Sequence, residues 1–447
     1  MTTSTTFTAL RINNAEQLKE SVNEPQATKL YFTFGRILDW NTPYNDEEPQ
    51  PANSSISTIY EVWNQMIGGK AINGNDIAYV IPRYNWKSGK NYRAYDNLDS
   101  TLFDANTEFY VVNSNYDVYK CIANNYGSIS TVEPTSINPS IETITSDGYI
   151  WKYMYTISDN DITRFVTDDY ITVKTLIEND GSSQWSVQEA SIDGAINYIY
   201  VTNPGRYYTN SQNIVVTITG DGSGATAYAV MSNVTNTVNN IIVTNPGSGY
   251  TYANVTIVGG GTRPSVANIA NARAIISPPG GHGSDPLYEL GGKNLMFNIR
   301  LKYSEDGVFP ETNDFRQISI IKDPVDLNAN VISKSAFLQS YMLRLFGSGD
   351  YLEDEIVYQG PSLANSTFSG EVLKWDYQNS KIYLINTKGN PTGDNLQGTA
   401  QFSSRQVIDI FPGEAKKYSG KILYVDNLKP ILRSSDQIED FKILVKF

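Results

Sequence analysis

Two side chains that often do chemistry near neutral pH occur once each in this 447-residue chain: Cys121, within FYVVNSNYDVYKCI (109–122), and His282, within PPGGHGSDP (278–286). A single cysteine cannot close an internal disulfide, and one cysteine with one histidine cannot supply a Cys/His zinc set. No Gly-x-Ser-x-Gly elbow is present, so a Ser-His-Asp triad has nothing to rest on. Cys121 falls on the second strand of a predicted hairpin whose Asn113-Ser114-Asn115 turn supplies residues tolerant of left-handed backbone. With no histidine or basic cluster nearby in sequence, it reads as a small buried hydrophobe, not a reactive thiol. His282, with glycine on both sides, reads as a loop residue without a metal role.

Carboxylates are plentiful; the best acidic clusters are SDNDIT (158–163) and TDD (167–169), and a third group is Asp350 with Glu353–Glu355. Some Asp/Glu pair reaches glycosidase separation in any fold of this size, so spacing along the chain promotes none of them. The first two clusters read as turns or caps. The third reads as a solvated charge run, because the ligand spacing and central glycine of a calcium loop are missing. GDGSGAT (220–226) and VGGGT (258–262) lack the Lys-Ser/Thr and the following helix of a phosphate-binding loop, so their glycines are expected in tight β turns. No catalytic, cofactor-binding or metal-ligating residue stands out, and the chain is expected not to be an enzyme and to need no cofactor.

The elements that would have to position any site are mostly strands. Aromatic residues make up 12% of the chain, with 31 tyrosines, 33 glycines and 19 prolines, a composition that favours β structure with many turns. Period-2 alternation runs through Leu30/Phe32/Phe34, Ile77/Tyr79/Ile81, Tyr149/Trp151/Tyr153/Tyr155 and Phe441/Ile443/Val445/Phe447, predicting half-buried strands. One helix is predicted with Ile56, Ile59, Tyr60, Trp63, Met66 and Ile67 on its apolar face, Asn53 or Ser54 as N-cap and Gly68 as stop; a weaker one covers Asn14–Val22. VTNPGRYYT (201–209) returns as VTNPGSGYT (243–251), each copy predicting strand, type II turn and strand, the turns lying 42 residues apart. A second island, 346–404, alternates short strands with turn residues and predicts a small antiparallel barrel or sandwich.

A net charge of −13 disfavours binding to nucleic acid or anionic membrane. No run is long enough to span a membrane, and the polar start MTTSTTFTAL lacks the regions of a signal peptide, so synthesis in the cytosol is expected. Abundant tyrosine suits protein interfaces.

Six spaced motifs then acquire a common meaning. TFGRILDW (33–40), WNQM (63–66) with Gly68, VIPRYNW (80–86), DGYIWKYMYTI (147–157), FRQISIIKDP (315–324) and the tail from Ser419 to Phe447 resemble, in order and spacing, the gene-eight baseplate wedge subunit of T-even-type contractile-tail bacteriophages. The likeness covers roughly the first 185 residues, 290–335 and the last 30. Two stretches depart from it: the repeat module and the island. The resemblance implies a mostly β (β-rich α+β), multi-domain protein with an antiparallel sandwich or barrel core, few short helices and two inserted β modules. The expected division is 1–189, 190–289 (inserted), 290–338, 339–412 (inserted) and 413–447. It further implies a homodimer that joins other wedge proteins in the virion tail baseplate and rearranges on contraction, with no small-molecule substrate. The competing reading is a tail-associated carbohydrate-binding or depolymerising protein. Within the motifs, Trp63, Trp86 and Trp151, with Met66, read as core anchors. Arg36, Arg83 and Arg316 each lie beside a hydrophobic strand, where a guanidinium needs a buried or interfacial carboxylate.

Overall fold

Period-2 alternation becomes antiparallel sheet in the computed structural model, which describes residues 7–24, 28–208, 214–232, 234–259 and 268–447. Strands take 42% of the chain and helices 13%, so the protein is mostly β and multi-domain, and one of its sheets closes into a barrel. It divides into two units, Met1–Glu16 with Ala78–Met296 and Leu444–Phe447, and Gln17–Ile77 with Phe297–Ile443.

The second unit is built on a five-stranded sheet in the order Ala336–Leu338, Met66–Ile72, Leu30–Gly35, Asp314–Lys322, Lys421–Leu432. Alternation in Leu30–Gly35 predicts one wet face, yet all six residues are buried. The strand is central, and both faces are covered. Tyr31 joins Trp63, Met66, Ile321 and Phe337 on one side. On the other, Phe32 meets Phe441 at 4.8 Å, and Phe34 meets Phe309 at 5.0 Å and Phe315 at 5.2 Å. Each such ring contributes roughly 1.5–3 kcal/mol by leaving water.

The helix before the second of these strands departs from its expected limits. It runs Ile56–Gln65, capped by Ser55, whose Oγ accepts the Thr58 N–H; Asn53 instead braces the Thr58 hydroxyl. Thr58, Val62 and Trp63 are buried, whereas Ile56, Ile59 and Tyr60 are exposed. Met66 and Ile67 leave the helix because ladder pairing to Leu30–Gly35 outweighs helical periodicity. Gly68 is therefore no helix stop; a Cβ there would lie 2.4 Å from the Phe309 ring, so close packing requires the glycine. The weaker helix is longer than expected, Thr8–Asn23.

Between Ala336–Leu338 and Lys421–Leu432 the chain leaves the sheet to form the closed six-stranded barrel, Tyr341–Phe346 through Ser404–Phe411, around Leu343, Val357, Val372 and Leu384. Of its acidic run, Asp350, Glu353 and Asp354 are exposed as expected, but the last member departs from that reading. Glu355 is buried and accepts the N–H groups of Leu352 and Ala400 at 2.8 Å each, which ties the loop to the barrel rim.

In the first unit, strands Tyr110–Val112, Asp117–Asn124, Tyr149–Thr156 and Thr143–Ile144 form one sheet. At the hairpin turn the left-handed residue is Tyr116 (φ 61), not an asparagine; Asn113 caps the turn, its Oδ1 accepting the N–H groups of Asn115 and Asp117. Val80 and Ile81, in the strand Ile77–Pro82, pair with Thr172 and Ile171.

The repeated phrase lies in a six-stranded sheet ordered Ile214–Gly220, Ala253–Gly259, Asn271–Ile276, Ile196–Asn203, Thr237–Asn245, Thr226–Ser232, whose two end strands lie against each other. The strands leading into the two turns pair with each other, as do the strands that follow them. Each turn is built alike. Asn203 and Asn245 accept the N–H of Gly205 and Gly247 at 3.0 and 2.9 Å, and those glycines hold φ of 67 and 63. Three residues on, Tyr208 and Tyr250 lay their buried rings over the glycines so closely that a Cβ would stand 2.7 or 2.9 Å away. The Tyr hydroxyls accept backbone N–H groups of Ala270 and Ala225. Asn-Pro-Gly-x-x-Tyr is thus a self-capped corner, used twice; Thr209, Asn213, Gly260, Gly261 and Thr262 lie outside the described residues.

The GDG turn serves the second corner. Asp221 accepts the hydroxyl and N–H of Thr251 and the N–H of Tyr252, and these bonds hold its carboxyl at about 2 against the ordinary 3.8. A depressed carboxyl stabilises the fold above its unfolded value and loses that contribution as pH falls through the folded one. The Asp221 carboxyl carbon should therefore titrate by NMR near pH 2, and at higher pH in Thr251→Val, which loses the hydroxyl but keeps both backbone N–H bonds; identical titrations would sink this account.

Candidate functional site

Arg316 gathers three carboxylates. Its guanidinium, 6% exposed, lies 2.8 Å from oxygens of Asp39, Asp46 and Asp314, and it donates further to the Ile37 carbonyl. The strand Asp314–Lys322 supplies Asp314 and the arginine; the loop after Leu30–Gly35 supplies the other two. Burial acts to lower the arginine's pKa, but hydrogen bonding to Asp46 and the charges of Asp314 and Asp46 overcome it and raise the value. The hydrogen bond from Arg316 holds Asp46 below the ordinary range, while burial lifts Asp314. This is a staple: it clamps the 36–46 loop to the sheet.

Among the described residues, the other two arginines have no carboxylate of this chain at ion-pair distance. Arg36, at φ 61, donates to Gln65 Oε1 and the Asp39 carbonyl and lies over the Trp40 ring at 4.0 Å. Burial lowers its pKa. Arg83, half-buried, donates to Asn85 Oδ1 at 2.9 Å and the Thr167 carbonyl at 3.0 Å. Within the chain, uncharged acceptors and an aromatic face partner these two guanidinium groups.

Trp63 is fully buried in the second unit's core. Trp151 is fully buried in the first, stacked on Tyr149 at 5.4 Å with rings 15° apart. Trp86 is half-buried, donating from Nε1 to Ser130 Oγ at 3.1 Å.

Sequence reasoning missed the most deeply buried charges. Lys120, on Asp117–Asn124, is 0% exposed and lies 2.7 Å from Glu289 Oε2, itself 2% exposed. The other Glu289 oxygen accepts the N–H groups of Gly283 and Asp285 at 2.7 and 3.2 Å. The Lys120 ammonium sits 4.1 Å from the Tyr95 ring centroid. His282 packs edge-on to Tyr95, its Nδ1 4.0 Å from Glu289, and burial with the charges of Lys120 and Lys152 pushes its pKa well below 6.5. It is a loop residue as expected, but a buried, neutral one. Burial likewise pushes the Cys121 thiol well above its ordinary value, which keeps it protonated. The only signal for Lys120 was a charge among apolar neighbours in DVYKCI, which also describes a snorkelling edge lysine.

An open pocket of about 800 Å³ borders this cluster, with Tyr95, Lys120, Tyr250 and Glu289 among its walls. Its other carboxylates are engaged: Asp96 with Arg273, Asp99 with Arg93, Asp193 with the Gly280 N–H, and Asp285 with Thr175 and the Tyr288 N–H. The remaining acidic motifs are architectural. Ser158 caps the helix Asp159–Phe165, with Asp159 and Asp161 in its first turn, and Thr167 closes the TDD turn. Among the described residues, no group of three or more His, Cys, Asp and Glu is arranged to hold a metal, and no helix is long and apolar enough to cross a membrane.

No protein-family model matches this chain, and no curated protein matches it either.

Proposed function

We propose that this chain is a structural subunit of a contractile-tail phage baseplate wedge, a homodimer that binds other wedge proteins and rearranges with them when the tail contracts. One observation carries the reading. Motifs separated by hundreds of residues in sequence occupy neighbouring strands of one sheet: TFGRILDW on Leu30–Gly35, the Met66–Gly68 end of the helix motif on Met66–Ile72, FRQISIIKDP on Asp314–Lys322 and the tail on Lys421–Leu432. The barrel leaves and re-enters beside that sheet, as an insertion into a shared framework would.

In this reading the work is mechanical. Ion clusters and aromatic cores keep each unit rigid, so that force changes packing between subunits and leaves the folds intact. Exposed tyrosines, Tyr60, Tyr126, Tyr207, Tyr228 and Tyr252 among them, supply ring area for subunit contacts. The protein would reside in the virion tail and be assembled in the host cytoplasm.

Light scattering after gel filtration tests the oligomer. The expected mass is about 99 kDa, twice the 49.7 kDa chain, and mixing with neighbouring wedge proteins from the same phage should give a larger complex. A stable trimer that binds polysaccharide would replace this proposal with the carbohydrate-binding reading.

A further inference from the structure

Apart from the ion clusters above, the first unit holds a group of cations with no ion-pair partner among the described residues. Arg11 comes from the helix Thr8–Asn23, Lys293 from the turn before the strand Asn294–Lys302, and Lys446 from the end of the strand Ile438–Lys446; all three line one pocket of about 300 Å³. None of them has a carboxylate within ion-pair distance among the described residues. Lys446 has only the Tyr170 ring, 5.9 Å from its ammonium. Asp104 lies at the pocket but is exposed to solvent.

That arrangement is costly for the free protein. Lys293 is half-buried, and its pKa is lowered first by desolvation and then by repulsion from Arg11, with only Asp104 acting the other way. Like charges held together in a chain carrying 47 acidic residues, with none of those residues answering them closely, leave a place for an anion from outside. The walls say more about its shape. Tyr84, Phe103, Tyr110 and Tyr170 line the same pocket, and Tyr84 and Tyr110 stand with ring centroids 5.2 Å apart. Aromatic walls favour a flat apolar body, and guanidinium and ammonium groups favour an oxyanion.

We infer that this pocket binds a small oxyanion carried on a planar apolar body, held by Arg11, Lys293 and Lys446 against the tyrosine and phenylalanine rings. The oxyanion is a carboxylate or a phosphate, and the site is independent of the wedge reading. Its size excludes a folded partner and admits one ring with its charged group.

The test is titration calorimetry on the full chain at fixed ionic strength, with phenyl phosphate, benzoate and inorganic phosphate as probes. Phenyl phosphate or benzoate should bind, and more tightly than inorganic phosphate; whichever ring-bearing probe is stronger identifies the oxyanion. Arg11→Gln with Lys293→Gln should weaken binding about tenfold or more, the factor expected for charge-assisted hydrogen bonds. Lys87→Gln, at an exposed lysine elsewhere in the unit, should not. Circular dichroism melts matching the unmodified protein establish that the double variant is folded. Absence of binding by both ring-bearing probes, or equal binding by all variants, would overturn the inference and leave an ordinary solvated patch of cations.

Discussion

Arg316→Ala is expected to destabilise the second unit by about 3 kcal/mol, the low end of the range for breaking a buried ion pair. Removal strands Asp46 and Asp314, about 30% exposed as side chains, and frees the loop that both Asp39 and Asp46 hold to the sheet. Partial exposure lets water reach those acids, which is why the higher figure is not expected. Arg316→Lys should recover only part of the loss, since an ammonium cannot reproduce a fork shared among three carboxylates. The control is Arg344→Ala, whose partner Asp409 and itself are about half exposed, expected to cost less than about 1 kcal/mol. Urea unfolding reads both. The pH dependence follows from Asp46, whose carboxyl lies below 3.8 in the fold: the pair's stabilisation is present above that value and declines as pH falls below it. Arg316→Ala should lose that part of the acid limb. Equal losses for Arg316→Ala and Arg344→Ala would show that the cluster is decorative.

Glu289→Gln should cost the first unit still more, about 3–5 kcal/mol, because it leaves the fully buried Lys120 ammonium without its counter-charge. Glutamine retains an oxygen for the Gly283 and Asp285 N–H groups, so the substitution isolates the charge. Lys120→Met combined with Glu289→Gln should cost less than the sum of the two single changes, since neither then leaves a buried ion. Alkaline pH gives an independent sign. Burial depresses Lys120 below its ordinary 10.5, with Glu289 opposing the shift. Between the depressed and ordinary values the unfolded chain binds more protons than the folded one, so the Lys120 contribution to stability rises with pH there. Without Glu289 the depression deepens and the window extends downward. Glu289→Gln should therefore regain stability as pH rises toward the ordinary lysine value, starting at lower pH than in the unmodified protein, and the double variant should not. Strict additivity in the cycle would mean that the pair is not coupled.

The corner formed by each Asn-Pro-Gly-x-x-Tyr phrase shows where sequence suffices. Proline and glycine fix the turn by their own backbone limits, and the same phrase predicts the same corner twice. Alternation predicts strands for a similar reason: the two-residue period is local. Alternation does not predict burial. Leu30–Gly35 has the pattern of a strand with one wet face, yet it is covered on both, because burial depends on what other segments bring to it. The helix Ile56–Gln65 makes the same point: its periodicity continues to Ile67, but pairing with Leu30–Gly35 claims Met66 onward.

The charged residues divide along this line. Sequence could mark Arg316 as an arginine in need of acids, since a guanidinium beside apolar strand residues must be paired. It could equally mark Arg36 and Arg83, and there carbonyls, an asparagine and a tryptophan ring do the pairing. Arg433 was not marked, although it is fully buried, donating to the carbonyls of Lys302 and Tyr303 with its guanidinium 4.9 Å from the Phe34 ring.

By itself, then, the sequence determined the β class, the repeated corners, the small antiparallel island and the order of motifs, all of which depend on backbone preferences or on patterns within a few residues. Tertiary structure alone decided which acids meet Arg316, that Lys120 and Glu289 share a dry site 169 residues apart, and that Arg11, Lys293 and Lys446 face one pocket. Coulomb energy and desolvation depend on distance through space and on exclusion of water, and neither quantity is written in the spacing of residues along a chain.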